Sequence, residues 1–82
     1  MHTVPPHTEA DLLAGWGRSL EEHRVRLGKT RPALAAEVGV HASTIWRIEH
    51  GRFDPAYALK LALSVALSVP MAELWAWPSV AA

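Results

Sequence analysis

Residues 30–51 read TRPALAAEVGVHASTIWRIEHG and carry the strongest local signals of structure in the chain. Thr30 is a good N-cap, and Pro32 falls in the opening turn of the helix that follows, where its missing N–H costs nothing. Apolar residues then recur at helical spacing until Gly39, which predicts a helix end with a left-handed glycine. A second helix is predicted over residues 42–50. The stretch therefore predicts two short helices joined by a turn.

The second helix of this pair has one apolar side. If Ile45 and Ile48 face the core, helical geometry turns the opposite side of the helix outward. Two compact helices joined by a short turn that contains glycine are typical of the helix-turn-helix motif, whose second helix lies in the major groove of DNA. The alternative is an ordinary solvated helix face.

The same stretch resembles the lambda repressor-like, Cro-type family, also called the xenobiotic-response-element (XRE) family. Its members read G-x-T-Q-x-x-L-A-x-x-x-G-V-S-x-x-x-I-S-x-I-E-x-G, with a proline a few residues on. The matching positions, within a resemblance that covers about residues 16–75, are Gly28, Thr30, Leu34, Ala35, Gly39, Val40, Ile45, Ile48, Glu49, Gly51 and Pro55, with Arg24 before them and Ala66, Leu67 and Val69 after them.

Three positions depart from the family pattern. Arg31 replaces the family's Gln, His41 replaces the Ser that opens the second helix, and Trp46 replaces a later Ser. These positions affect sequence preference rather than fold. For Trp46 two roles stay open. It contacts sugar or a thymine methyl group, or it packs on Phe53 or on the start of the helix that follows Thr30 (helix 2).

The resemblance implies an all-α, compact five-helix bundle of the lambda repressor-like DNA-binding type, with helices 2 and 3 as the helix-turn-helix. It implies DNA base contacts by His41, Ala42, Ser43 and Arg47, and we expect Trp46 to join them. Phosphate contacts are expected from Thr30, Arg31, Thr44, His50 and Arg52, unless these side chains are merely solvated. It also implies a structural salt bridge between Arg24 and Glu49, the alternative being two unrelated surface charges.

The remaining helices are predicted from local signals. Thr8 opens a capping box for a first helix over residues 9–27, in which Gly15 and Gly17 each cost about 1 kcal/mol relative to alanine. That helix therefore kinks, or begins only near Trp16, or uses Gly17 for the close approach of another helix.

A proline follows a capping residue further along the chain. Asp54 as N-cap and Pro55 at the first position predict helix 4 over residues 55–67. Pro70 opens a short helix 5 over residues 71–76. The predicted inward face of helix 4 consists of Leu59, Leu63, Ala66 and Leu67.

The last third of the chain holds more apolar side chains than one small core easily hides. We expect a two-fold homodimer, whose interface residues would be Leu61, Val65, Met71, Leu74, Trp75 and Trp77. Dimers of this architecture place two recognition helices about 34 Å apart on a near-palindrome. The alternative is that Trp75 covers the core of its own monomer.

Composition restricts the class of protein. The 82 residues suggest one domain, at residues 9–77, between a flexible N-terminal tail at 1–8 and a short C-terminal tail at 78–82. There is no cysteine, no apolar run of about 20 residues and no secretion signal.

Histidine spacing and the absence of a nucleophile motif argue against a metal site and an enzyme. We expect no cofactor, no metal, no membrane contact and no small-molecule substrate, in a bacterial or phage-encoded, nucleoid-associated cytoplasmic protein.

The charges are unevenly distributed. The chain has a net charge of zero, yet residues 18–52 carry seven basic and four acidic side chains. This uneven distribution favours a fold in which one basic face lies toward the phosphates of a nucleic acid. The sequence thus predicts a regulator of transcription, in the form of a repressor, that binds double-stranded DNA. A second regulatory protein is a further candidate partner. The alternative function is a protein-interaction module, an antitoxin or adaptor, that docks through its apolar C-terminal surface.

Overall fold

Five α-helices follow one another in the computed structural model, which describes residues 8–77. They are α1 (Glu9–Arg26), α2 (Arg31–Val38), α3 (Ala42–Glu49), α4 (Tyr57–Leu67) and α5 (Met71–Leu74). Residues 8–77 contain no strand, and the predicted all-α, five-helix architecture is confirmed. Residues 1–7 of the predicted N-terminal tail and the whole predicted C-terminal tail lie outside the described residues.

Helix α1 begins at the predicted capping box. The Asp11 amide donates to Thr8 Oγ1 at 3.1 Å, and the Thr8 amide donates to Asp11 Oδ2 at 3.2 Å. The helix then continues without interruption through both of its glycines. Gly17 faces α3, where a Cβ atom would collide with the carbonyl oxygens of Ile48 and Glu49. Of the three possibilities for α1, the close approach of another helix is therefore the one observed.

The two helices of the central stretch have the predicted ends. Thr30 Oγ1 accepts a hydrogen bond from the Ala33 amide at 3.1 Å, which caps α2. Gly39 ends α2 with φ 76°, in the left-handed region that glycine adopts without strain. Helix α3 ends at Glu49, one residue earlier than predicted.

The predicted start of α4 is wrong. Ala56 is the N-cap residue, and the helix begins at Tyr57. The reason is that the chain stays extended past Pro55, which is buried, so that Asp54 lies too early to cap the first turn. Its Oδ1 lies instead 3.8 Å from Lys60 Nζ.

Helix α5 is also shorter than predicted and ends at Leu74. Trp75 leaves the helix with φ −113° and ψ 43°. Its indole Nε1–H donates to the Lys60 carbonyl oxygen at 3.1 Å and to Ser64 Oγ at 3.2 Å. These bonds fix the chain after α5 against α4 instead of allowing another helical turn.

One apolar core joins all five helices. Its buried members are Trp16, Leu20, Leu34, Ala35, Ile45, Ile48, Leu63, Leu67, Leu74 and Trp75. The predicted inward face of α4 contributes to it, with Leu59 and Ala66 partly buried against the core. None of the helices in the described part has the length and apolar character required to cross a bilayer.

Two of the residues expected at a dimer interface belong to this core. Leu74 is 0 % exposed and Trp75 is 5 % exposed, so neither presents a surface to a second molecule. That expectation is wrong for both, because each side chain packs inside its own monomer. Leu61, Val65 and Trp77 are exposed and Met71 is half-buried.

Candidate nucleic-acid interface

Helix α3 separates its side chains into two faces. Ile45 and Ile48 are buried in the core, and Glu49 is buried beside them. On the other side Ser43, Trp46 and Arg47 are exposed. Since the apolar face is tightly packed, α3 presents its outer side chains from a fixed support.

The carboxylate of Glu49 binds α3 to α1. Arg24 Nε lies 2.6 Å from Glu49 Oε2, and Arg24 Nη2 lies 3.3 Å from Oε1. The Glu49 side chain is fully buried, so the guanidinium supplies the charge partner that a buried carboxylate requires. Arg24 Nη1 also donates to the Lys29 carbonyl oxygen at 2.8 Å. This bidentate pair joins the end of α1 to the end of α3.

A second arginine shares the same carboxylate. Arg31 Nε lies 2.7 Å from Glu49 Oε1, and Arg31 Nη2 lies 3.6 Å from Glu21 Oε2. We name the set Arg24, Glu49, Arg31 and Glu21 the ion cluster; it links α1, α2 and α3. The contact of Arg31 with Glu49 was not among the predictions from the sequence. The sequence offers only an arginine in place of the family's glutamine, and this does not specify Glu49 as its partner.

The first turn of α2 has few open backbone donors. The Ala33 amide donates to Thr30 Oγ1, and the Leu34 amide donates to the Thr30 carbonyl oxygen at 3.0 Å. Pro32 has no N–H. Of the amides in this turn, the one of Arg31 is therefore left without a partner by these bonds. It lies at the positive end of the helix dipole.

Trp46 stacks on His50 on the outer side of α3. Their ring centroids are 3.8 Å apart and the rings are inclined by 17°. His50 Nδ1 donates to the Trp46 carbonyl oxygen at 2.8 Å, which fixes the imidazole on the indole. Arg52 Cζ lies 5.7 Å from the Trp46 ring centroid. The indole thus stacks on His50, the residue that follows α3, and the two roles expected for Trp46 stay predictions.

Arg47 is held more loosely than Arg24 and Arg31. Its Nε donates to the Ser43 carbonyl oxygen at 3.5 Å, and the side chain is exposed. Its two terminal nitrogens form no hydrogen bond with residues 8–77. His41 is the N-cap residue of α3; it makes no side-chain capping hydrogen bond and is exposed.

The structure gathers the predicted site residues around α3. The residues expected to contact bases are all exposed or half-buried there: His41, Ala42, Ser43, Trp46 and Arg47. Of the residues expected to contact phosphate, Thr30, His50 and Arg52 are exposed, whereas Arg31 and Thr44 are half-buried. The residues described contain no cluster of three metal-ligating side chains.

Comparisons with known proteins agree with this geometry. Residues 17–77 match the model of a family described as "Helix-turn-helix domain". An uncharacterised HTH-type transcriptional regulator from Methanothermobacter thermautotrophicus is 42 % identical over 48 residues, which cover 58 % of this chain and 70 % of that protein.

Solved structures are similar over most of the chain. The restriction-modification controller protein C.AhdI from Aeromonas hydrophila aligns with TM-score 0.73 and 29 % identity, covering 76 % of this chain and 94 % of that one. The clp gene regulator ClgR from C. glutamicum aligns with TM-score 0.72 and 25 % identity, covering 77 % and 82 %. The chain belongs to the helix-turn-helix domain family, in its lambda repressor-like, XRE-type form.

Proposed function

We propose that this protein is a transcriptional regulator that binds double-stranded DNA in a sequence-specific manner, with α3 in the major groove. The observation that carries the proposal is the rigid mounting of α3. Ile45 and Ile48 anchor its inner face in the core, and the ion cluster holds its end. The similar proteins that are named as regulators support the same function.

Base recognition would come from the outer face of α3. The guanidinium of Arg47 is free to form a bidentate contact with O6 and N7 of guanine, the commonest specific contact in the major groove. Ala42 offers a methyl group for thymine, and Ser43 offers a hydroxyl for a base edge or phosphate. The broad stack of Trp46 on His50 would lie against sugar or a thymine methyl group.

Phosphate contacts would fix the position of α3 without reading sequence. The start of α2 offers the amide and side chain of Arg31 together with Thr30, and the far end of α3 offers His50 and Arg52. Thr44 completes the set of proposed contacts. Because these contacts release counterions, DNA affinity is expected to fall steeply with salt.

We propose a two-fold homodimer on a palindromic site, formed through one face of α4. Tyr57, Leu61 and Val65 are spaced by four residues and are all exposed, which makes an apolar stripe. Met71 extends this apolar surface beside Leu61 and Val65, whereas Trp77 lies against Trp16 of α1. Two copies joined here would read half-sites about one DNA turn apart. Occupying a promoter is sufficient for repression, so repression is the simplest outcome.

Selection of bound sites from random duplex DNA tests this function. A regulator enriches a palindromic motif, and its affinity for that motif falls steeply in a salt titration. A well-folded sample that enriches no motif contradicts the proposal.

The exposed apolar surface also favours a second candidate function, an antitoxin or adaptor that docks on a protein partner. Val65 is 71 % exposed and Trp77 is 76 % exposed, both large fractions for apolar side chains. In that case Trp77→Ala abolishes partner binding, whereas Arg47→Ala has no effect on it. If the protein is a regulator, Arg47→Ala weakens specific DNA binding, whereas Trp77→Ala leaves it unchanged.

A further inference from the structure

We propose that Glu21 is a built-in competitor for the phosphate-binding arginine. In the free protein its carboxylate occupies the exposed side of the Arg31 guanidinium, and a DNA phosphate displaces it. The inference rests on the proposed DNA-binding function and deepens it, because it names a residue that sets DNA affinity without contacting DNA.

The two edges of the Arg31 guanidinium are held very differently. Its Nε lies 2.7 Å from Glu49 Oε1, and the Glu49 side chain is fully buried. That edge is fixed, since Glu49 is also bound to Arg24 and has no freedom to move away. Its Nη2 lies 3.6 Å from Glu21 Oε2, which is longer than a hydrogen bond. The Arg31 and Glu21 side chains are 32 % and 46 % exposed, so water reaches this second pair.

The charges of the ion cluster leave Arg31 in need of an anion. One buried carboxylate, Glu49, faces the two guanidinium groups of Arg24 and Arg31. Glu21 supplies the second negative charge only at a distance and in contact with solvent, where an ion pair stabilises little. A phosphate at the same edge gains short charge-assisted hydrogen bonds from Nη1 and Nη2. The unused Arg31 amide also favours an anion at the start of α2.

The consequence is that Glu21 lowers DNA affinity through Arg31. Breaking the Glu21 contact is part of the free energy of binding, so its removal in advance strengthens the complex. Any carboxylate near DNA also weakly repels the phosphates at long range. The substitution Glu22→Gln measures this general effect of removing one negative charge. Glu22 is the adjacent residue of α1, is exposed, and forms no ion pair within residues 8–77.

The experiment compares variants of the full chain on the duplex that the wild type selects, by fluorescence anisotropy at low salt. Glu21→Gln is expected to raise affinity about two- to fivefold, the range of a loose surface ion pair. Glu22→Gln, with the same charge change, is expected to raise it less. In an Arg31→Gln background the gain from Glu21→Gln is expected to fall to that of Glu22→Gln. Equal gains at both glutamates in the wild-type background, a larger gain from Glu21→Gln that persists without Arg31, or no gain each overturn the inference.

Two measurements keep the outcomes separate. Circular dichroism on thermal unfolding confirms that each variant is folded, and NMR of the Arg31 Nε–H checks that Glu49 still holds the guanidinium in Glu21→Gln. If the wild type selects no DNA, the proposed function itself fails. If the wild type binds its site and Glu21→Gln gains nothing, only the role of Glu21 fails.

Discussion

Gly17 of α1 lies directly against the backbone of Glu49 in α3, with no room for a Cβ atom before the Glu49 carbonyl oxygen. We therefore expect Gly17→Ala to lower the free energy of unfolding by about 1–3 kcal/mol, the usual cost of overpacking. The loss opposes the gain of about 1 kcal/mol that alanine gives a helix over glycine. Urea denaturation followed by circular dichroism measures the difference.

Gly15 provides the matched control in the same helix. A Cβ atom there would meet only the end of the Arg18 side chain, at 3.9 Å. Gly15→Ala is therefore expected to stabilise the fold by up to about 1 kcal/mol. If both substitutions stabilise the protein, the close approach of α1 and α3 is not as described.

The capping difference between α2 and α4 gives a second prediction. Thr30→Ala removes the hydrogen bond to the Ala33 amide and is expected to cost about 1 kcal/mol of unfolding free energy. Asp54→Ala removes only a 3.8 Å ion pair with Lys60, in which the Asp54 carboxylate is exposed, and is expected to cost about 0.5 kcal/mol or less. If both variants lose the same free energy of unfolding in urea denaturation, Asp54 caps α4 after all.

The ion cluster gives a third prediction. Glu49→Gln leaves Arg24 buried without its carboxylate and is expected to cost about 3–5 kcal/mol. Arg31→Gln leaves the Arg24–Glu49 pair in place and is expected to cost about 1 kcal/mol or less. Thermal unfolding by calorimetry compares the two variants. A similar small loss for both would show that Glu49 does not hold the three helices together.

The corrected interface residues give a fourth prediction. Val65→Glu places a charge on the exposed stripe of α4 and is expected to abolish the proposed dimer in sedimentation equilibrium while the monomer stays folded. Val25→Glu, at another exposed valine, serves as control. Leu74→Ala is expected to cost about 2–5 kcal/mol of stability, because Leu74 is fully buried. A wild type that remains monomeric at all concentrations and on DNA contradicts the dimer.

Local signals explain which parts of the fold were predictable. Thr30 and Gly39 act on the backbone within one turn, so the ends of α2 follow from the sequence. Asp54 and Pro55 carry the same kind of signal, but burial of Pro55 keeps the chain extended. For Trp75, composition alone could not separate a core residue from an interface residue.

The ion cluster was only partly accessible from sequence. The family resemblance predicted a salt bridge between Arg24 and Glu49, and in the structure Arg24 Nε lies 2.6 Å from Glu49 Oε2. The contact of Arg31 with Glu49 depends on how three helices are placed in space, and no local pattern specifies that. The same reason hides the pair of Arg31 with Glu21.

Whether α3 reads DNA is decided by the affinity of Arg47→Ala for the selected duplex, compared with that of Arg26→Ala. Both arginines are exposed, and both substitutions remove one positive charge. We expect Arg47→Ala to lose about tenfold or more in specific affinity, with unchanged unfolding, since a bidentate base contact is worth about 1–3 kcal/mol. Arg26→Ala should lose much less. If Arg47→Ala binds the selected site as tightly as Arg26→Ala does, α3 does not read DNA through Arg47, and the account is contradicted.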